Sequence, residues 1–191
     1  MKILEERIRR DGKILPGDVI KVDSFLNHLI DVDLISLCAD EWYEIYKDQG
    51  VTKILTIEAS GIALASITAT KFHVPVLFAK KTRSANLSPK VLSTKVISYT
   101  HGQSYDVIVS KDYISRDDRI LIIDDFLANG SALRALVTLA ERAGATVVGV
   151  GIAVEKVYQN GGADIRARGY RIDSLAKIKS IDVEKGIEFC E

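Results

Sequence analysis

Four consecutive aliphatic residues, Ile120-Leu121-Ile122-Ile123, run directly into Asp124-Asp125-Phe126-Leu127 and then into Ala128-Asn129-Gly130-Ser131-Ala132. An unbroken apolar run suits a strand covered on both faces, the condition of a parallel sheet. Ligands of open α/β sheets bind beyond the carboxyl ends of such strands. Ala128 to Ser131 leave the backbone open to close approach, Gly130 permits a positive φ, and Ser131 stands where a helix over Ala132 to Ala143 is expected to begin. Free N–H groups and a helix dipole then converge on an anion, and a phosphomonoester fits there. Asp124 and Asp125 would repel a phosphate at contact distance, but carboxylates accept hydrogen bonds from vicinal hydroxyls and can hold a hydrated Mg²⁺. A ribose 5-phosphate offers both groups.

Other strand ends share parts of this pattern. A Walker B strand also ends in acids, but the chain has no G-x-x-x-x-G-K-[ST]. A receiver domain carries its acidic pair after the first strand, and too few residues follow Asp125 to complete one. An ordinary strand-turn-helix with solvated carboxylates would not need small residues and twin acids at one strand end.

The thirteen residues Ile120 to Ala132 resemble the signature with which type I phosphoribosyltransferases bind 5-phosphoribosyl 1-pyrophosphate (PRPP). The resemblance covers most of the chain and is nearest to the xanthine branch of that family, through Met1-Lys2-Ile3-Leu4, Glu58-Ala59-Ser60-Gly61, Ala128-Asn129-Gly130 and Glu155-Lys156. It implies an α/β fold of the type I phosphoribosyltransferase kind, a mostly parallel central sheet flanked by helices with a small hood.

At 191 residues the chain is expected to be one domain, 1–191, with a core large enough to fold without staples. Twenty-six basic and 26 acidic residues cancel, so no global field argues for nucleic acid or an anionic membrane as partner. The charges are unevenly spread. Between Ala59 and Tyr105 there is no Asp or Glu, while Lys71, Lys80, Lys81, Arg83, Lys90 and Lys95 supply six cations, an electropositive lip for a polyanion or else a solvated lysine-rich loop. Cys38 falls on an apolar helical face and Cys190 lacks metal-site spacing, so both read as free thiols; His28, His73 and His101 are scattered and indicate no transition-metal site. The least polar run, Ala143 to Val154, is broken by glycines and well short of the ~20 residues that span a bilayer. A cytoplasmic protein is expected.

Strand and helix patterns alternate, as in an α/β fold. Helices are expected over Met1 to Arg10, Val32 to Lys47 and Gly61 to Phe72, and strands over Lys53 to Ile57, Val74 to Phe78, Tyr105 to Val109, Arg119 to Ile123 and Thr146 to Val154. Short strands with a turn at Gly186 are expected over Ile172 to Phe189. Thr82 to Thr94 is polar, contains Pro89 and has no apolar period, so it reads as a long loop.

Glu58-Ala59-Ser60-Gly61 repeats the main pattern, an apolar strand, a small-residue turn and a helix start, and forms a second anion cradle. By resemblance it is the pyrophosphate loop, with a non-proline cis peptide within Glu58 to Ser60. The loop within about residues 80–99, with Lys80, Lys81 and Arg83 at its entry and Ser98-Tyr99 beyond its exit, resembles the family's flexible hood over PRPP, expected to be disordered or open without substrate. Lys156 follows a strand, where its ammonium could donate to an exocyclic oxygen of an oxopurine or pair with Glu155 on the surface. The resemblance assigns it to the base, together with Ile20 over a purine face and Asn27 donating to the 2-oxo group; Phe126 stacks on the base or belongs to the core.

The resemblance also carries departures. Ala128 stands where hypoxanthine-guanine members place an aspartate, and Ala132 replaces a hydroxyl residue. It implies transfer of the 5-phosphoribosyl group from PRPP to N9 of xanthine. Ala128, Asn129, Gly130, Ser131 and Ala132 would hold the 5-phosphate, and Glu58, Ala59, Ser60 and Gly61 the pyrophosphate. Asp124, Asp125 and Lys81 would be catalytic, with Mg²⁺ near the two aspartates. A homodimer is implied. Guanine or hypoxanthine transfer is the second enzyme reading. A PRPP-sensing transcription regulator on the same fold is the reading from another class, though the segment before the first strand is too short for a winged-helix domain.

Overall fold

A computed structural model describes residues 1–81, 90–97 and 104–190. Arg83, Ser98 and Tyr99 lie outside them. Helix α1 (Lys2–Asp11) packs Leu4 and Ile8 inward, and Gly12 ends it. A hairpin of β1 (Lys13–Leu15) and β2 (Val19–Lys21) turns through Gly17 and Asp18, both at positive φ, and a π-helical turn, Asp23–Asn27, buries Phe25 and Leu26. Asp31 caps α2 (Val32–Tyr46) by accepting from the Leu34 N–H at 3.1 Å. Strand β3 (Lys53–Ile57) leads into α3 (Gly61–Phe72), which His73 closes in a left-handed conformation, and β4 (Val76–Ala79) follows. The ribbon of β5 (Val91–Ile97) and β6 (Ser104–Ser110) is antiparallel. Then come β7 (Arg119–Leu127), α4 (Ser131–Ala143), β8 (Thr146–Lys156), α5 (Gly161–Ala167), β9 (Ile172–Asp182) and β10 (Gly186–Phe189).

The described residues form a six-stranded sheet of order β10-β9-β8-β7-β3-β4, parallel except for β10 against β9. One face carries a core built on Leu4, Ile35, Trp42 and Leu64, and the other a core built on Leu55, Ile122, Leu133 and Leu136. Because both faces are covered, Ile120 to Ile123 are all fully buried. From β3 the chain moves outward to β4 and later returns to place β7 on the other side of β3. This reversal is a topological switch point, where open α/β sheets bind ligands.

Several expectations are corrected. The strand expected over 119–123 runs on to Leu127, so Asp124 and Asp125 stay in register with β8 rather than beyond a strand end. Most of the loop expected over 82–94 lies outside the described residues, but Val91 to Thr94 belong to β5, where cross-strand pairing to β6 replaces a missing apolar period. The strand expected from Val74 starts at Val76, after Pro75, which cannot donate to a ladder. Helix α4 starts at Ser131, one residue early, with Gly130 as its N-cap.

Candidate active site

The pairing of β3 with β7 ends at Leu55 and Ile122. Beyond it β3 follows β4 to Ala79 and β7 follows β8 to Glu155, so the two central strands part. Into that opening β3 delivers Glu58 to Gly61 and β7 delivers Asp124, Asp125 and the loop to Ser131. Two segments far apart in sequence thus meet at one strand end.

Asp124 is 4% exposed, and its Oδ1 accepts the Asp125 N–H at 3.0 Å. Burial, then the charge of Asp125, push its carboxyl well above the usual range, and Lys81 only partly opposes this. Gly61 packs directly on it. A Cβ at Gly61 would lie 2.1 Å from Thr56 Oγ1 and 2.8 Å from Asp124 Oδ1, so only glycine fits. The Thr56 hydroxyl is fully buried and makes no hydrogen bond among the described residues. The peptide between Glu58 and Ala59 is cis, within the segment where the resemblance placed one. Glu58 Oε1 accepts the Lys81 N–H at 2.6 Å, which ties the start of the cationic segment to this loop.

On the other side, Gly130 takes φ 76° and Ser131 N–H donates to Asn129 Oδ1 at 2.9 Å. An anion would compete for that N–H. The loop is backed by Gly161, where a Cβ would stand 2.4 Å from both Ala128 O and Gly130 N. Ala132 lies in the first turn of α4 and offers only its backbone.

Of the residues assigned to the base, Asn27 reaches the opening directly, while Lys156 joins the hairpin that carries Ile20. Asn27 ends the π-helical turn, and its Nδ2 donates to Asp125 Oδ2 at 3.1 Å. Ile20 is buried in β2. Lys156 donates to the Asp18 carbonyl, which leaves two of its three N–H groups without a partner among the described residues. Burial lowers its pKa, with the nearby Asp18 opposing. It does not pair with Glu155, whose partners are Arg166, at 2.7 and 2.8 Å, and Ser174. Phe126 is partly buried against the core.

Sequence reasoning missed Thr56, Gly161, Asp18 and Tyr105. Burial and then the charge of Asp124 raise the pKa of Tyr105, on β6, and the Lys81 ammonium sits 5.9 Å from its ring centroid. Gly161-Gly162 after a strand was a usable signal for close backbone approach. Tyr105 carried none.

Comparison with known proteins gives a consistent picture. The model of the phosphoribosyl transferase domain family matches residues 31–185. The chain is 52% identical to the xanthine phosphoribosyltransferase of Finegoldia magna over 94% of each chain. It is 53% identical to that of Bifidobacterium animalis subsp. lactis over 99% of each. Among solved structures it resembles the APRTase of Giardia lamblia complexed with 9-deazaadenine, with a TM-score of 0.79 at 21% identity over 91% of this chain and 97% of that one. The last likeness concerns fold alone.

Proposed function

Because the chain belongs to the phosphoribosyl transferase family, we propose that it transfers the 5-phosphoribosyl group of PRPP to N9 of xanthine, releasing pyrophosphate and forming xanthosine 5'-monophosphate. The observation that carries the reading is the pair of small-residue cradles flanking an acidic pair, the buried Asp124 and the half-buried Asp125, at the switch point. Those cradles match the two phosphorylated ends of PRPP, and the acids match the sugar between them. The relatives' shared name supports the base.

In this reading Ala128 to Ala132 bind the 5-phosphate, Asp124 and Asp125 accept from the ribose hydroxyls, and Glu58 to Gly61 hold the pyrophosphate. As the C1–O bond breaks, positive charge develops at the sugar, and the two carboxylates favour it in a site that excludes water. Lys81 stabilises the departing pyrophosphate. Ile20 covers the purine face, Lys156 donates to an exocyclic oxygen and Asn27 to the 2-oxo group.

Two carboxylates fit Mg²⁺ held largely through water and substrate oxygens, since no group of three or more candidate ligand side chains occurs among the described residues. Asp124 and Asp125 would hold the ion, and its chemistry is to offset the negative charge of the pyrophosphate.

A cavity of about 710 Å³ lies elsewhere. It borders the edge strand β4, with Phe78 and Tyr113 exposed on its rim. Two exposed aromatic side chains beside an edge strand support a homodimer. The free thiols Cys38 and Cys190 support a reducing, cytoplasmic setting, and no described helix is long and apolar enough to cross a membrane.

The test is a steady-state assay with PRPP and Mg²⁺, comparing kcat/KM for xanthine, guanine, hypoxanthine and adenine. Preference for xanthine is expected. PRPP binding without transfer to any purine would move the protein to the sensor class.

A further inference from the structure

We propose that Thr56 is a positioning residue for Asp124, a buried hydroxyl with no partner among the described residues, which fixes the carboxylate once a cationic sugar faces it. The inference rests on the transfer reading above and adds a residue to that site. Thr56 is the first residue of β3 beyond its pairing with β7, and its backbone stays in register with Phe78 of β4. Its side chain is fully buried, and its Oγ1 makes no hydrogen bond among the described residues. Burying a hydroxyl without a partner costs stability, and valine would fill much the same space without that cost. An acceptor whose demand rises during the reaction accounts for the hydroxyl.

Gly61 marks where that acceptor lies. A Cβ there would stand 2.1 Å from Thr56 Oγ1, 2.8 Å from Asp124 Oδ1 and 3.5 Å from the Ile123 carbonyl oxygen. The three oxygens face one small space, which glycine leaves open. Threonine is stiff at χ1, so its oxygen stays beside that space and the O–H has only to turn. A carboxylate draws such a donor more strongly than a neutral carbonyl does. Asp124 Oδ1 accepts the Asp125 N–H at 3.0 Å, and a carboxylate oxygen has room for a second donor. Held on Oδ1 from two sides, the carboxylate is fixed in one plane and Oδ2 is left to the ligand. Its charge is then aligned before the charge on the sugar develops.

Thr56→Val removes the donor and keeps the shape, while Thr56→Ser keeps the donor. The readouts are Tm, kcat and KM with PRPP and xanthine, and calorimetric dissociation constants of two ligands, each with pyrophosphate and Mg²⁺. One ligand is a cationic iminosugar 5-phosphate, and the other is ribose 5-phosphate, whose ring is neutral. In Thr56→Val, kcat is expected to fall about tenfold with KM for PRPP within about twofold, the scale of one hydrogen bond to a charged group. The preference for the cationic ligand should fall by a similar factor. Tm should hold or rise, because the lost hydroxyl was unpaired. Thr56→Ser should recover most of the lost turnover. Adding Thr56→Val to Asp124→Asn should change the preference no further, because the effect travels through the carboxylate. Three results would each overturn the proposal: a preference in Thr56→Val within about twofold of wild type, a full effect persisting in the Asp124→Asn background, or a fall in Tm that shows the hydroxyl to be a structural partner. Wild-type protein that transfers to no purine would instead overturn the reading on which it rests, and the ligand preference in Thr56→Val would still decide the contact.

Discussion

Two carboxylates sit on neighbouring strands, Asp124 within β7 and Glu155 near the end of β8, and both are almost sealed from solvent, at 4% and 1% exposure. Burial alone would raise both. At Glu155 the Arg166 guanidinium, bidentate at 2.7 and 2.8 Å, and the Ser174 hydroxyl outweigh it and hold the carboxyl below its usual range. Asp124 receives one backbone N–H and has a second carboxylate beside it, so it is held above. The fold supplies the countercharge at one site and leaves it to be supplied at the other. Glu155 therefore reads as structure, and Asp124 as a site kept ready for positive charge.

The comparison breaks most severely at Asp124. Asp124→Asn is expected to lower kcat by about 10²- to 10³-fold, the scale of one lost electrostatic contact to the transition state. It should also stabilise the ligand-free protein. A folded pKa above the unfolded one means that ionising the group costs stability as pH rises through the folded pKa. The variant removes that cost, so its Tm at pH 7 should lie above that of the wild type. The gain should vanish below about pH 4, where both states are protonated. Thermal scans against pH check the sign.

At Glu155 the sign reverses. Its lowered pKa contributes stability that is present above the unfolded pKa and lost as pH falls through the folded one. Arg166→Met should cost about 2–3 kcal/mol in urea unfolding at pH 7, below the figure for a sealed pair because the Arg166 side chain is 39% exposed. The deficit should shrink below about pH 4, and catalysis at optimal stability should change little. The smallest effect is expected at Tyr105, whose ring carries the Lys81 ammonium beside Asp124. Tyr105→Leu should raise KM for pyrophosphate in the reverse reaction about three- to fivefold, with Tyr105→Phe close to wild type. Equal loss in both variants would assign the effect to the hydroxyl instead.

Elements buried on two faces were legible in the residues themselves: β3 and α3 have the limits that their apolar runs and small-residue turns imply. The hairpin of β1 and β2 escaped because three-residue strands cannot show a period, and α5 escaped because Gly161 and Gly162 look like breakers. The acid pair and both small-residue turns were legible because each is a local run of residues. The contacts that join them are not local. Asn27 on Asp125, Lys156 on Asp18 and Gly61 on Asp124 depend on how the elements pack, and no spacing along the chain encodes them.

The most direct test is carboxyl ¹³C titration of Asp124 by NMR, in free protein and with a cationic iminosugar phosphate bound together with pyrophosphate. The account predicts a pKa well above the usual aspartate range in free protein and a marked fall when the cation is bound. An ordinary aspartate pKa in both states would contradict it.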